Sequence, residues 1–107
     1  MKKSPLSEQS FYILLALIDE PLHGYGIIKR VKELSQGMIV LAAGTLYGAI
    51  EKLKNQQMIE LDHLEDDGKR KVYRLTPQGL AKLNEDYLRL AQLHHVASQL
   101  LQTKEEV

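Results

Sequence analysis

The sequence predicts a mainly α fold with a small β-ribbon: a winged helix-turn-helix followed by a long C-terminal dimerisation helix. Three observations carry that prediction. An amphipathic run, Gly44-Thr45-Leu46-Tyr47-Gly48-Ala49-Ile50-Glu51-Lys52-Leu53, lies two elements downstream of the chain start. Two short alternating segments joined by Asp67-Gly68 follow it. Thr76-Pro77 then opens a long stretch of helical apolar period. Helix, two-stranded ribbon and basic ribbon tip, in that order, describe the winged motif.

A first helix is expected after Ser7, a good N-cap, with Glu8 in the first turn where the helix dipole favours an acid. Phe11, Ile13, Leu14, Leu15, Leu17 and Ile18 make it apolar almost all round, so more than one of its faces must be covered. Pro21 breaks the chain. A second helix is expected from about His23 to Ser35, with Ile27, Val31 and Leu34 inward and Gly37 as its stop. Met38 to Leu41 reads as a short apolar connector with room for a small strand.

The third helix carries Leu46, Ala49, Ile50 and Leu53 on one buried stripe. Ile59–Leu64 and Lys69–Leu75 are expected to pair as antiparallel strands, with Asp67-Gly68 supplying the positive backbone angles of a tight turn. Thr76 is the N-cap of the last helix, and Pro77 suits its first position. That helix can run to about Thr103, roughly 40 Å at 1.5 Å per residue. Leu80, Leu83, Tyr87, Leu90, His94, Ala97 and Leu101 form a heptad-like seam along it, with Leu88, Leu93, Val96 and Leu100 beside them. The chain thus divides into a winged region, residues 1–76, and a dimerisation helix, 77–107, within one compact domain.

With 107 residues, one domain has too little surface to cover both stripes and the apolar first helix, so a homodimer is expected. Phe11, Leu15, Leu83, Tyr87, Leu90, His94, Ala97 and Leu101 are the candidate interface residues. No apolar run reaches the roughly 18 residues of a membrane span. The stretch from Phe11 to Ile18, after the basic Met1-Lys2-Lys3, is short, lacks a cleavage site and ends in Asp19-Glu20-Pro21, as a helix does and a signal peptide does not. The chain has no cysteine, which removes disulfides, thiolate catalysis and sulfur-ligated metals together. A cytoplasmic location is expected.

Fourteen bases balance fourteen acids, but their distribution is uneven. Glu60, Asp62, Glu65, Asp66 and Asp67 precede the ribbon turn without a base, and Lys69, Arg70, Lys71 and Arg74 follow it without an acid. Phosphates respond to charge within roughly 8–10 Å, so this local asymmetry matters more than the zero sum. On the third helix, at about 100° per residue, the face opposite the buried stripe is Gly48, Glu51 and Asn55, flanked by Tyr47, Lys52 and Lys54. A DNA major groove admits one helix and is read by amides, cations and apolar edges. Asn55 suits an adenine edge, Lys52 and Lys54 a guanine or phosphate, and Tyr47 a thymine methyl or phosphate. Gly48 would permit close approach of the backbone, whereas Glu51 must find a cytosine amine or a neighbouring lysine. Lys69, Arg70 and Lys71 at the ribbon tip suit flanking phosphates or a minor groove. A solvated helix face and a lysine-protected edge strand would each look similar alone. Together the two features favour nucleic acid.

Pro21-Leu22-His23-Gly24-Tyr25-Gly26-Ile27, then Gly44-Thr45-Leu46-Tyr47, then Arg70-Lys71-Val72-Tyr73-Arg74-Leu75-Thr76-Pro77-Gln78-Gly79, resemble the PadR family of bacterial transcriptional regulators over residues 8 to about 83. The single C-terminal helix is similar to the compact subfamily. The resemblance implies a dimeric winged-helix repressor that binds double-stranded DNA through the third helix and wing, with Thr45 and Tyr47 at the family's Thr-Leu-Tyr segment and Lys69, Arg70 and Lys71 at its basic wing. It also implies relief by a small apolar or planar effector. Three departures stand out: Gly48 replaces a frequent proline, Ala42-Ala43 replaces a Ser-Pro-like helix start, and Gln57 replaces a frequent glycine before the first wing strand. Losing a cap costs about 1 kcal/mol.

The dimer interface is the default effector pocket, with Phe11, Tyr12, Tyr87 and Leu90 as candidate walls. His94 and His95 project about 100° apart and cannot share one ion, so His94 is expected as a half-buried seam residue and no metal or other cofactor is expected. His23 is expected to cap or pack. The acid pairs Asp19-Glu20 and Asp66-Asp67 lie at turns, and no phosphate-cradling loop or nucleophile–base pattern is present, so an enzyme is not expected. The expectation is a homodimeric repressor on a pseudo-palindromic operator. The rival is a winged-helix module, or an antagonist of another regulator, that binds protein and not DNA.

Overall fold

Ser7 starts the first helix as its chemistry requires: its hydroxyl accepts a hydrogen bond from the Ser10 backbone N–H at 3.1 Å, opening α1 (Glu8–Ala16). The computed structural model describes residues 4–105, so the basic start at Lys2-Lys3 lies outside the described residues. Within α1, Ile13 and Leu14 are both fully buried although they point about 100° apart, which is how an all-round apolar helix is accommodated. Phe11, Tyr12 and Leu15 are only half covered.

Pro21 leads into β1 (Leu22–His23), then α2 (Gly24–Leu34), whose Ile27 and Val31 are fully buried while Leu34 is half-buried. The stop of α2 begins one residue earlier than Gly37, because Gln36 already adopts φ 54° and Gly37 follows at 81°. The Gly37 N–H donates to the Lys32 carbonyl at 2.8 Å and that of Gln36 to Glu33 at 3.1 Å, the paired bonds of a Schellman stop. The connector after it contains no strand, contrary to the room allowed for one. Ser35 Oγ takes the Ile39 N–H at 2.9 Å and Leu41 is buried, while Met38 and Val40 stand in solvent. The small strand is β1 instead, and its two residues are too few to show an alternation in sequence.

Leu46, Ile50 and Leu53 of α3 (Ala43–Asn55) form the buried stripe expected of it. Ala42, at its N-cap, offers no side-chain acceptor. The wing is β2 (Ile59–Glu65) and β3 (Arg70–Leu75), and β1 joins the far edge of β3 to give a three-stranded antiparallel sheet in the order β1-β3-β2. Leu61 pairs with Tyr73 and His63 with Val72, leaving Asp62 as the extra residue of a bulge. The expected two-residue Asp67-Gly68 turn is a longer loop. Asp66 and Asp67 both sit near φ 53° and Gly68 at 85°, and the Gly68 N–H closes the turn on the Glu65 carbonyl at 3.1 Å. Two left-handed positions in succession are the signature of a type I′ turn, which aspartate tolerates better than most side chains.

The last helix, α4 (Pro77–Glu105), is locked to the wing at its start. Thr76 Oγ accepts from the Gly79 N–H at 3.0 Å and donates to the Gln57 carbonyl at 2.6 Å. A Cβ on Gly79 would fall inside the Met58 carbonyl oxygen, so the helix start and the strand start touch backbone to backbone. Further along, Leu83 is buried, and Asp86 is buried with its carboxylate accepting the Leu6 N–H at 2.9 Å, tying the segment before α1 to α4. Beyond Asp86 the helix leaves the body of the molecule, whose longest dimension is 64 Å. No helix among the described residues is long and apolar enough to cross a membrane.

Candidate nucleic-acid interface

Burial of Leu46, Ile50 and Leu53 turns the opposite face of α3 outward. Thr45, Tyr47, Gly48, Glu51, Lys52 and Asn55 are all exposed, and Lys54 is half-buried. Glu51 is partnered within the helix, where Lys54 Nζ lies 3.4 Å from its carboxylate. Nothing lies within 4 Å of where a Gly48 side chain would begin, so the α3 backbone is bare there. Lys69, Arg70 and Lys71 are exposed on the wing, and no ion pair occupies them among the described residues.

Tertiary structure brings part of this set together. An open cleft of about 610 Å³ is bounded by His23, Gly24 and Tyr25 at the start of α2, by Tyr47, Ile50 and Glu51 of α3, and by Asp66, Lys69, Arg70, Lys71 and Tyr73 of the wing. Tyr47 and the wing cations therefore share one concavity. Thr45, Gly48, Lys52, Lys54 and Asn55 lie outside it. His23 packs rather than caps: its ring stacks on Tyr25 with centroids 6.4 Å apart, and its side chain makes no cap hydrogen bond. Sequence patterning alone does not single out Tyr25 or Tyr73. Tyr73 faces inward by strand alternation, so only its neighbours in space reveal that it reaches the cleft.

The wing acids are largely neutralised within the wing. Arg74 lies 2.8 Å from Glu60, its direct cross-strand partner, and 3.2 Å from Asp62. His63 places Nδ1 2.6 Å from Asp62 and Nε2 3.2 Å from Glu65. Hydrogen bonds from His63 first, and from Arg74, hold the Asp62 carboxyl below its ordinary range. The same contacts, Asp62 first and then Glu65, raise the pKa of His63. Glu60 and Asp62 raise that of Arg74, which stays charged. Asp66 and Asp67 form no ion pair among the described residues and are the acids left at the tip.

A second, apolar region lies between α1 and α4. One groove of about 840 Å³ is bounded by Phe11, Leu15, Ile18, Leu80, Leu83 and Tyr87, and one of about 550 Å³ by Leu6, Tyr12, Leu15 and Leu90 with Phe11 between the two. Of the four effector candidates, Phe11 borders both grooves, Tyr87 the first, and Tyr12 and Leu90 the second. Leu83 packs inside the subunit, whereas Tyr87, Leu90, Ala97 and Leu101 are exposed on one chain. His94 is exposed on one chain too, as nothing within the subunit covers that part of α4.

Comparison with known proteins supplies the family. The chain is 33% identical over 87 residues to a 37.1 kDa protein of a Streptomyces fradiae transposon, covering 81% of this chain but 24% of that protein. It is 34% identical over 83 residues to the transcriptional regulator Rv3488 of Mycobacterium tuberculosis, covering 77% of this chain and 75% of that one. Among solved structures, a PadR family transcription regulator from hypervirulent Clostridium difficile superposes with a TM-score of 0.73 at 26% identity, over 89% of this chain and 99% of that one. Residues 13–85 match the model of the transcriptional regulator PadR-like family. With its winged three-stranded sheet and long last helix, the chain is a member of the PadR-like family of transcriptional regulators.

Proposed function

We propose that the chain acts as a homodimeric repressor in which each subunit lays α3 in a major groove and the wing along the flanking backbone. The observation that carries this reading is the shared cleft: Tyr47 of the exposed α3 face and three wing cations without an ion pair among the described residues border one concavity of positive balance. Asn55 and Lys52 read bases, with Thr45 and Gly48 allowing close approach, while Tyr47, Lys69, Arg70 and Lys71 hold phosphates. Two-fold symmetry sets a pseudo-palindromic operator with half-sites about 34 Å apart or a multiple. Binding occludes the promoter, and a small apolar or planar effector in the α1–α4 region relieves it by favouring another spacing of the reading helices. The protein carries no catalysis of its own, and it works in the cytoplasm.

Fluorescence anisotropy on DNA from upstream of the protein's own gene, against scrambled DNA across a salt series, tests the reading. Preference for the upstream DNA that survives moderate salt is expected. Replacing Lys69, Arg70 and Lys71 by alanine should weaken binding to every sequence and flatten the salt slope by about one for each phosphate no longer neutralised. Equal, salt-labile binding to both DNAs would overturn the repressor and favour a protein partner.

A further inference from the structure

The floor of the cleft holds a residue that wing cations and reading helix leave unexplained. Tyr73 is 4% exposed, yet its hydroxyl makes no hydrogen bond among the described residues. No fully buried side-chain nitrogen or oxygen lacks a partner among them either. The hydroxyl therefore keeps some accessible surface, and Tyr73 borders the open cleft. The hydroxyl is thus open to a partner from outside the chain, which could accept its hydrogen bond without breaking one within it.

The other groups at this floor point to the chemistry of that partner. The first turn of α2 begins at Gly24, at the positive end of the helix dipole, and His23 supplies no side-chain acceptor to its N–H groups. Tyr47 is drawn across this helix start: a side chain on Gly24 would begin 3.0 Å from its hydroxyl. Lys69, Arg70 and Lys71 overhang the same space, against Glu51, which is paired with Lys54, and Asp66. Hydroxyl donors, a helix start without a side-chain cap and a cationic rim suit an anion with several acceptor oxygens.

We propose that Tyr73 and Tyr47, with the uncapped start of α2, form a seat for one phosphodiester group of the bound DNA backbone, between the reading helix and the wing. The seat rests on the DNA-binding reading above and deepens it. Tyr73 donates from a fixed ring, so it sets the depth at which the strand lies and hence the register of α3 in its groove. Burial raises the pKa of Tyr73 above its ordinary value, so the hydroxyl keeps its proton for donation.

Tyr73→Phe removes only the hydroxyl and keeps the buried ring. Its melting temperature should equal or exceed that of the wild type, while affinity for upstream and scrambled DNA falls by a similar factor, about tenfold for a hydrogen bond to a charged group. Single neutral methylphosphonate substitutions along the DNA locate the contact. One position per half-site should weaken the wild type, yet cost Tyr73→Phe little further. Unchanged affinity in Tyr73→Phe, or equal losses at every methylphosphonate in both proteins, would remove the seat while leaving DNA binding intact. A wild type that ignores DNA altogether would overturn the seat and the repressor reading together.

Discussion

Two backbone positions near the base of the wing show how closely single residues are constrained. Gly79 has no space for a Cβ, because the Met58 carbonyl occupies it. Gly79→Ala should therefore lower stability by about 1–3 kcal/mol, with the loss visible in thermal or urea unfolding. Gln57 poses the opposite case. It holds φ 62°, a left-handed conformation that a side chain resists, at the position where the family often has glycine. Gln57→Gly should raise stability by about 0.5–1 kcal/mol, and a drop would show that the Gln57 side chain contributes more through its packing than the relieved strain returns.

At the scale of the element, the wing holds its shape through charge as well as through its strand ladder. The bulge at Asp62 brings that carboxylate within reach of both Arg74 and His63. Both ring nitrogens of His63 meet carboxylates, so only the doubly protonated imidazolium donates to each. His63 has a raised folded-state pKa, so its contribution is complete below its ordinary value of 6.5 and is lost as pH rises through the raised value. Asp62 has a lowered one, so its contribution is present above 3.8 and is lost as pH falls through the depressed value. The wing should therefore be firmest in mildly acidic solution. Amide exchange of β2 and β3, corrected for the intrinsic pH dependence, is expected to show the greatest protection there. His63→Gln should remove the alkaline loss and shrink the acid loss to the part that Arg74 sustains. An unchanged alkaline limb would show that His63 carries none of it.

The whole molecule raises a different question: what covers α4. Past Asp86 every residue whose side chain is described is exposed on one chain, including Leu90, Leu93, Val96, Leu100 and Leu101. Apolar residues at three- and four-residue spacing over that length are the pattern of a helix that packs on another helix. A second copy of this chain, seated along α4 and α1, would bury them and place two reading helices on one duplex. Light scattering is expected to give twice the 12.2 kDa chain mass. Tyr87→Glu and Leu90→Glu together should yield a monomer of unchanged helicity that binds an operator half-site only weakly. Persistence of the dimer in that double variant would place the interface elsewhere.

Local chemistry was enough to determine much of this protein from its sequence. Ser7 and Thr76 mark helix starts, the Leu46, Ile50 and Leu53 stripe orients α3, and the switch from helical to alternating period locates the wing. These signals are legible because each depends on residues within a turn or a strand of one another. The family resemblance shares that origin, since its motifs sit where such local constraints are tightest. Only the tertiary structure decided the features that join distant segments. Leu22–His23 becomes a strand because β3 has a free edge beside it, not because two residues prefer to be extended. Asp86 is buried because Leu6, eighty positions earlier, brings an N–H to it. Tyr73 reaches the cleft because the start of α2 and the face of α3 close around the wing. Sequence periodicity tells which face of an element is covered; what covers it depends on long-range packing, where the partner lies far along the chain or in another molecule.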